Sequence, residues 1–302
     1  MHVLVMGAGA VGAYFGGLLA LAGHDVALVA RGDHLQALQA LGLRVESRHG
    51  DFTVPVRAVA DPTQAPAPDL VLFTVKTYDT AAACQALRPA LGENSVVLTL
   101  QNGVDSVGEL QAVLGNRVLG GAVYIESDVA APGLIRQTSP MRDIVLGEPG
   151  GRSQRADALV GVLQAAGIPA TLAERIEYAI WQKFIMLASF SGITAATRLP
   201  IGPIRECKET WLLFRQLVAE ACAAGYARGV HFPGDTVENV LARVGGWEPD
   251  FKSSMLRDLE KGRRLEVDHL SGAVARLGRA AGAPAPGHAA IYALLKPYAN
   301  GT

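Results

Sequence analysis

The stretch Val5-Met6-Gly7-Ala8-Gly9-Ala10-Val11-Gly12-Ala13-Tyr14-Phe15-Gly16 decides how this chain is read. It leaves an apolar run at 3–6, opens an Ala/Leu-rich segment at 10–22, and is followed by a second β-rich run at 25–30. Gly-x-Gly-x-x-Gly is weak by itself. Between a strand and a helix, with another strand close behind, it is the dinucleotide-binding fingerprint. The first glycine permits the tight turn, the second lets backbone approach a pyrophosphate, and the third lets the helix pack against the sheet. The helix N-terminus presents unpaired N–H groups and partial positive charge to the phosphates. Gly7, Ala8, Gly9, Ala10, Val11 and Gly12 are therefore candidate dinucleotide ligands. The competing reading is a tightly packed strand–helix turn that holds nothing.

The second strand ends Val29-Ala30-Arg31. An NAD-binding unit usually places a carboxylate there for the ribose 2′-hydroxyl, whereas an arginine can pair with a 2′-phosphate. The sequence favours NADP(H), with Arg31 on that phosphate; the alternative is a solvated arginine at a strand end.

The rest of the first half continues the alternation. Apolar runs at 70–75 and 96–100 flank a helical stretch at 77–87, the runs at 43–47 and 52–56 suggest a β-hairpin, and 60–69 reads as a Pro-rich loop. Further strands are expected at 118–125, 133–137, 143–146 and 168–172, with a helix at 153–166 ended by Gly167. From about residue 174 the pattern becomes helical, with helices expected at 174–190, 208–225, 236–244, 254–261, 268–281 and 288–296. The expectation is an α/β domain at 1–172 and an all-helical domain at 173–302.

Composition agrees with two packed domains. The 302 residues are 50% hydrophobic, which excludes disorder, and 18% charged, too few for a coiled coil. A net charge of −1 offers nothing special to nucleic acid or anionic lipid. Cys84, Cys207 and Cys222 are few and scattered, which fits a reducing compartment, and a cytoplasmic protein is expected. No His or Cys pair has metal-ligand spacing, so no metal is expected, and no apolar run is long enough to span a membrane.

Several polar residues interrupt apolar surroundings. Gln101-Asn102-Gly103 and Lys76 each follow a buried strand, where open α/β sheets bind ligands. The amides of the first can contact nicotinamide or substrate, or form a plain turn; Lys76 can reach a phosphate or carboxylate, or point to water. Lys183 lies within a very apolar helix beside Ile180, Phe184 and Leu187. Desolvation would lower its pKa and make it a usable proton donor; the alternative is a lysine on a wet stripe. The run from Ser253 to Asp268 places Ser254 and Asp258 on one helix face, breaks at Gly262, and starts a further helix at Glu266. Its bland reading is a capped, solvated helix.

Taken together, GAGAVGAYFG at 7–16, Arg31, Val75-Lys76, Gln101-Asn102-Gly103, Trp181-Gln182-Lys183 and the Ser253–Asp268 run resemble the ketopantoate reductase family over nearly the whole chain. The resemblance implies a Rossmann domain, a helical C-terminal domain, a site in the cleft between them, and NADPH-dependent reduction of 2-dehydropantoate to pantoate on the route to coenzyme A. Carried over by position, Lys183 is the general acid and Glu266 its partner. Ser254 binds substrate, Asn102 and Lys76 line the cleft, and Arg31 takes the 2′-phosphate. The family usually has Asn four and eight residues beyond the lysine, where this chain has Leu187 and Ser191. That departure leaves open a different 2-oxo acid, held by Ser254, Asn102 and Ser191. A non-catalytic NADP(H)-binding regulator would have lost Lys183 and Glu266, and both are present. The apolar helices of the second half serve either a homodimer contact or their own core.

Overall fold

The computed structural model describes residues 1–301, which form two compact units. The first comprises Met1–Gln101 and Asp105–Ala179; the second comprises Asn102–Val104 and the described residues from Ile180 on. The division thus falls between Ala179 and Ile180 instead of after residue 172, and residues 102–104 belong with the helices.

The first unit runs β1 (His2–Met6), α1 (Ala10–Leu21), β2 (Asp25–Val29), α2 (Gly32–Leu41), β3 (Leu43–Ser47), β4 (Phe52–Val54), β5 (Arg57–Val59), β6 (Leu70–Phe73), α3 (Thr80–Leu87), β7 (Val96–Thr99), α4 (Ser106–Leu114), β8 (Val118–Ala131), β9 (Leu134–Gly147), α5 (Gln154–Ala165) and β10 (Ala170–Leu172). The sheet order is β4-β3-β9-β8-β7-β6-β1-β2-β5, with β10 beside β9. Strands β5, β2, β1, β6, β7 and β8 are mutually parallel, the order of a doubly wound nucleotide-binding sheet. Strand alternation sends Val3 and Val5 of β1 into one core layer, and Leu4 and Met6 into the layer on the opposite face. Covering both faces explains why these strands read as continuous apolar runs.

Three details differ from the sequence reading. Residues 118–147 form two fourteen-residue strands, β8 and β9, in place of three short ones. They pair antiparallel, and the register shifts near Ile125/Ser127 and Val129/Ala131. Those irregularities and the polar residues 126–128 hid the continuous strand from a periodicity argument. The short β5 and the helix α4 were not anticipated. The hairpin was: Leu43 faces Val54 and Val45 faces Phe52.

The second unit contains most of α6 (Ile176–Thr197), then α7 (Ile201–Glu206), α8 (Lys208–Tyr226), α9 (Thr236–Gly245), α10 (Ser254–Glu260), α11 (Ser271–Ala280) and α12 (Pro286–Leu295). Helix α6 extends well beyond the expected residue 190. Its hydroxyls bond back to their own helix, Ser189 to the Ile185 carbonyl, Thr194 to Phe190 and Thr197 to Ile193. These three hydroxyls can therefore continue a buried helix with their donors satisfied. Glu266 does not start a helix: it lies in the loop before α11, which begins at Ser271. Among the described residues no helix is long and apolar enough to cross a membrane, and no group of three metal-ligating side chains converges.

The glycine turn after β1 is fixed by close packing. A Cβ on Gly12 would lie 2.3 Å from Thr74 Oγ1 and 2.4 Å from the Gly7 carbonyl oxygen, whereas one on Gly9 would meet nothing within 4 Å. Gly12→Ala is expected to destabilise the chain by about 1–3 kcal/mol, as overpacking does. Gly9→Ala should stay within about 1 kcal/mol of wild type. Thermal or urea unfolding of the two variants checks the contrast.

Candidate active site

In the first unit the candidate ligand-binding turn sits where the sheet order reverses, at the carboxyl ends of β1 and β6. Gly7 has φ +103°, and a Cβ there would lie 2.8 Å from Val75, so the turn can only be glycine. Thr74 at the end of β6 donates its hydroxyl to the Gly7 carbonyl at 2.7 Å, and Ala8 N–H donates to the Val29 carbonyl at 2.9 Å. The first helical bond of α1 runs from Ala13 N–H to the Gly9 carbonyl. The N–H groups of Ala10, Val11 and Gly12 thus lie ahead of the hydrogen-bond ladder. Open space over Gly9, free helix N–H groups and no acidic residue in the first turn of α1 suit a pyrophosphate. Arg31 is exposed at the N-cap of α2, directly after β2. Lys76 is half-buried at the turn following β6.

The Gln101-Asn102-Gly103 turn divides its work. Gln101 is buried and donates its amide to the Val75 carbonyl at 3.0 Å and to Thr80 Oγ1 at 2.8 Å. Its amide therefore braces the turn after β6 and is not offered to a ligand.

In the second unit Asn102 accepts a hydrogen bond at 2.8 Å from Lys183 Nζ. Lys183 is half-buried on α6, between Trp181 and Phe184, whose rings meet in a T-shaped pair. Burial pushes its pKa down from 10.5 to about 8, and the negative charge of Glu266 opposes that fall. Glu266 is itself buried. The structure thus brings together Lys183, Asn102 and Glu266, residues drawn from three separate parts of the sequence. An ammonium with a pKa near 8, aimed by an amide and faced by a carboxylate, can donate a proton to an oxygen that gains negative charge.

The neighbouring serines separate. Ser253 is the buried N-cap of α10: its Oγ accepts from Leu256 N–H at 3.1 Å and lies 2.7 Å from Thr194 Oγ1 on α6. Ser254 is the exposed first residue of that helix. Ser191, two turns beyond Lys183, is fully buried, and its hydroxyl has no hydrogen-bond partner. Leu187 is half-buried on the same face of α6, one turn beyond Lys183. Sequence reading missed the bracing role of Ser253, although a serine directly before an apolar helix is a cap signal. It also missed Thr74 and His34, whose partners are distant in sequence.

The first unit is a dinucleotide-binding fold of the Rossmann class, and a helical unit carrying the lysine site follows it. The family described as "Ketopantoate reductase PanE/ApbA" matches residues 3–151, and its C-terminal counterpart matches residues 175–299. A 2-dehydropantoate 2-reductase from Mesorhizobium japonicum is 36% identical, with 98% of this chain and 97% of that protein aligned. The crystal structure of a PanE/ApbA family ketopantoate reductase from Ralstonia eutropha superposes with a TM-score of 0.92 at 37% identity, covering 99% of this chain and 98% of that one. That of a 2-dehydropantoate 2-reductase from Geobacter metallireducens gives 0.92 at 29% identity, covering 98% and 99%. The chain belongs to the ketopantoate reductase family, whose members are oxidoreductases acting on an alcohol–carbonyl pair. Structures of D-mandelate dehydrogenase share the fold at 20% identity.

The two serines differ in a measurable way. Ser253→Ala removes both the cap and the Thr194 partner, and should lower stability by about 1–2 kcal/mol. Ser254→Ala should change it by less than about 0.5 kcal/mol. Denaturant unfolding of both variants distinguishes them.

Proposed function

We propose that this protein reduces the ketone of 2-dehydropantoate to pantoate with NADPH, and that Lys183 is the general acid. The observation that carries the reading is the Lys183 Nζ–Asn102 hydrogen bond at 2.8 Å, on a lysine whose pKa is lowered to about 8 beside Glu266.

The glycine turn, with its uncovered Gly9 and the helix N–H groups of Ala10, Val11 and Gly12, suits the pyrophosphate; Arg31 would pair with the 2′-phosphate and Lys76 would reach the phosphates or substrate. When bound, the reduced nicotinamide supplies hydride to the carbonyl carbon. Lys183 Nζ then gives a proton to the carbonyl oxygen as negative charge develops there. Asn102 holds the ammonium in one direction, and Glu266 keeps it charged despite its apolar surroundings. Ser254, exposed at the start of α10, is free to accept the substrate carboxylate or hydroxyl. Its position at a helix N-terminus favours an anion there. Ser191 is the second candidate substrate contact, because its buried hydroxyl lacks a partner within the chain.

Leu187 favours a second reading, in which the enzyme acts on another 2-oxo acid. One turn from Lys183 it presents methyl groups and no amide, so it suits an apolar substituent better than a hydroxyl. Oxidation of NADPH, followed by absorbance with 2-dehydropantoate and with branched apolar 2-oxo acids, separates the two. A higher kcat/KM for 2-dehydropantoate supports the first reading, and a reversed order supports the second. Turnover with none of them contradicts both.

Two substitutions probe the roles. Lys183→Ala is expected to lower kcat by about 10²–10⁴-fold while NADPH still binds, and undiminished turnover would remove Lys183 from the mechanism. Arg31→Ala should weaken NADPH by about tenfold or more and leave NADH nearly unchanged, and equal effects on both would contradict the 2′-phosphate assignment.

A further inference from the structure

His34 sits in the first turns of α2, half-buried, and both of its ring nitrogens are engaged. Gly133 N–H, at the turn between β8 and β9, lies 3.0 Å from Nδ1, and the Ala8 carbonyl lies 2.8 Å from Nε2. Gly133 N–H can only donate, so Nδ1 must offer its lone pair and the proton must sit on Nε2. His34 is therefore neutral and donates to Ala8. Burial lowers its pKa, which agrees with a neutral ring. The far side is anchored as well, because the Gly133 carbonyl accepts from Arg44 N–H of β3 at 2.9 Å.

The consequence lies in the Ala8–Gly9 peptide. A trans peptide is planar, with its carbonyl and N–H pointing in opposite directions. With the Ala8 carbonyl held on the imidazole, the Gly9 N–H faces away from it. A glycine whose α-carbon is uncovered would otherwise rotate readily. Thr74 holds the preceding carbonyl, that of Gly7, and Val29 holds Ala8 N–H. His34 supplies the third restraint, the one nearest Gly9.

We infer that His34 is a positioning residue for the cofactor: its Nε2–H orients the Ala8–Gly9 peptide so that the Gly9 N–H is directed at the pyrophosphate. The inference rests on the reading that the glycine turn binds a dinucleotide. His34 touches neither substrate nor cofactor and acts through the loop.

The test compares NADPH affinity of the full-length chain, by fluorescence titration, in wild type, His34→Gln and His34→Asn. A glutamine amide reaches about where Nε2 stands and can keep the Ala8 bond. An asparagine amide stands nearer Nδ1 and keeps only the Gly133 side. The expected result is a Kd within about threefold of wild type for His34→Gln and about tenfold weaker for His34→Asn. In both, kcat at saturating NADPH should be unchanged, so the loss appears in KM for the cofactor. Each variant loses one of two ring bonds, so a purely structural role would affect the two alike. Equal affinities in all three proteins, or His34→Gln as weak as His34→Asn, would overturn the inference. Should His34→Asn not fold, His34→Leu, which keeps neither bond, takes its place: a Kd about tenfold weaker than that of His34→Gln supports the role, and one equal to it overturns the inference. Failure of the wild type to bind NADPH at all would instead overturn the dinucleotide reading itself.

Discussion

The proposed reaction depends on keeping one ammonium, that of Lys183, charged in a place that disfavours charge. Lys183 lies on a helix whose neighbouring side chains, Phe184 and Ile185 among them, are fully buried. Desolvation alone would drive the lysine towards neutrality, where it could no longer donate a proton. Two groups oppose this. The Asn102 carbonyl oxygen accepts its proton at 2.8 Å, and the Glu266 carboxylate stabilises its positive charge. The balance leaves a pKa of about 8, low enough for proton transfer and high enough for protonation at neutral pH. Removing the carboxylate would leave the desolvation opposed only by the Asn102 hydrogen bond.

The surrounding structure serves to hold those partners still. Asn102 directly follows Gln101, whose amide is committed to Val75 and Thr80. Further along α6, Thr194 meets the Ser253 cap, and the Phe190 ring packs edge-on to Trp247 and stacks on Phe251. The glycine turn follows the same logic, with successive backbone groups tied to Thr74, Val29 and His34. In both places polar groups are fixed before any ligand arrives, so less ordering remains for binding to accomplish.

Much of this was legible in the sequence, because the signals were local. The glycine turn combines spacing with a strand before it and a helix after it, and Lys183 stands out as a charge in an apolar helix. The helices of the second unit showed their periodicity, with α6 running longer than expected because its hydroxyls bond back to the helix. What escaped depended on distant partners. His34 looks like an ordinary polar residue of an amphipathic helix, and its partners lie 26 and 99 residues away. Ser253 and Ser254 are indistinguishable as a pair until the helix start is known; then one is a buried brace and the other the exposed first residue of the helix. The full length of β8 and β9 escaped because irregular register breaks the alternation that marks a strand.

The most direct test of the account is the pH dependence of kcat/KM for ketone reduction at saturating NADPH. In the proposed mechanism Lys183 must be protonated to act, and its pKa is lowered from 10.5 to about 8. The rate should therefore be level at neutral pH and fall tenfold per pH unit above a base limb near pH 8. A rate that stays level to pH 10 would contradict it, because the proton would then come from another group or from a lysine that burial does not perturb.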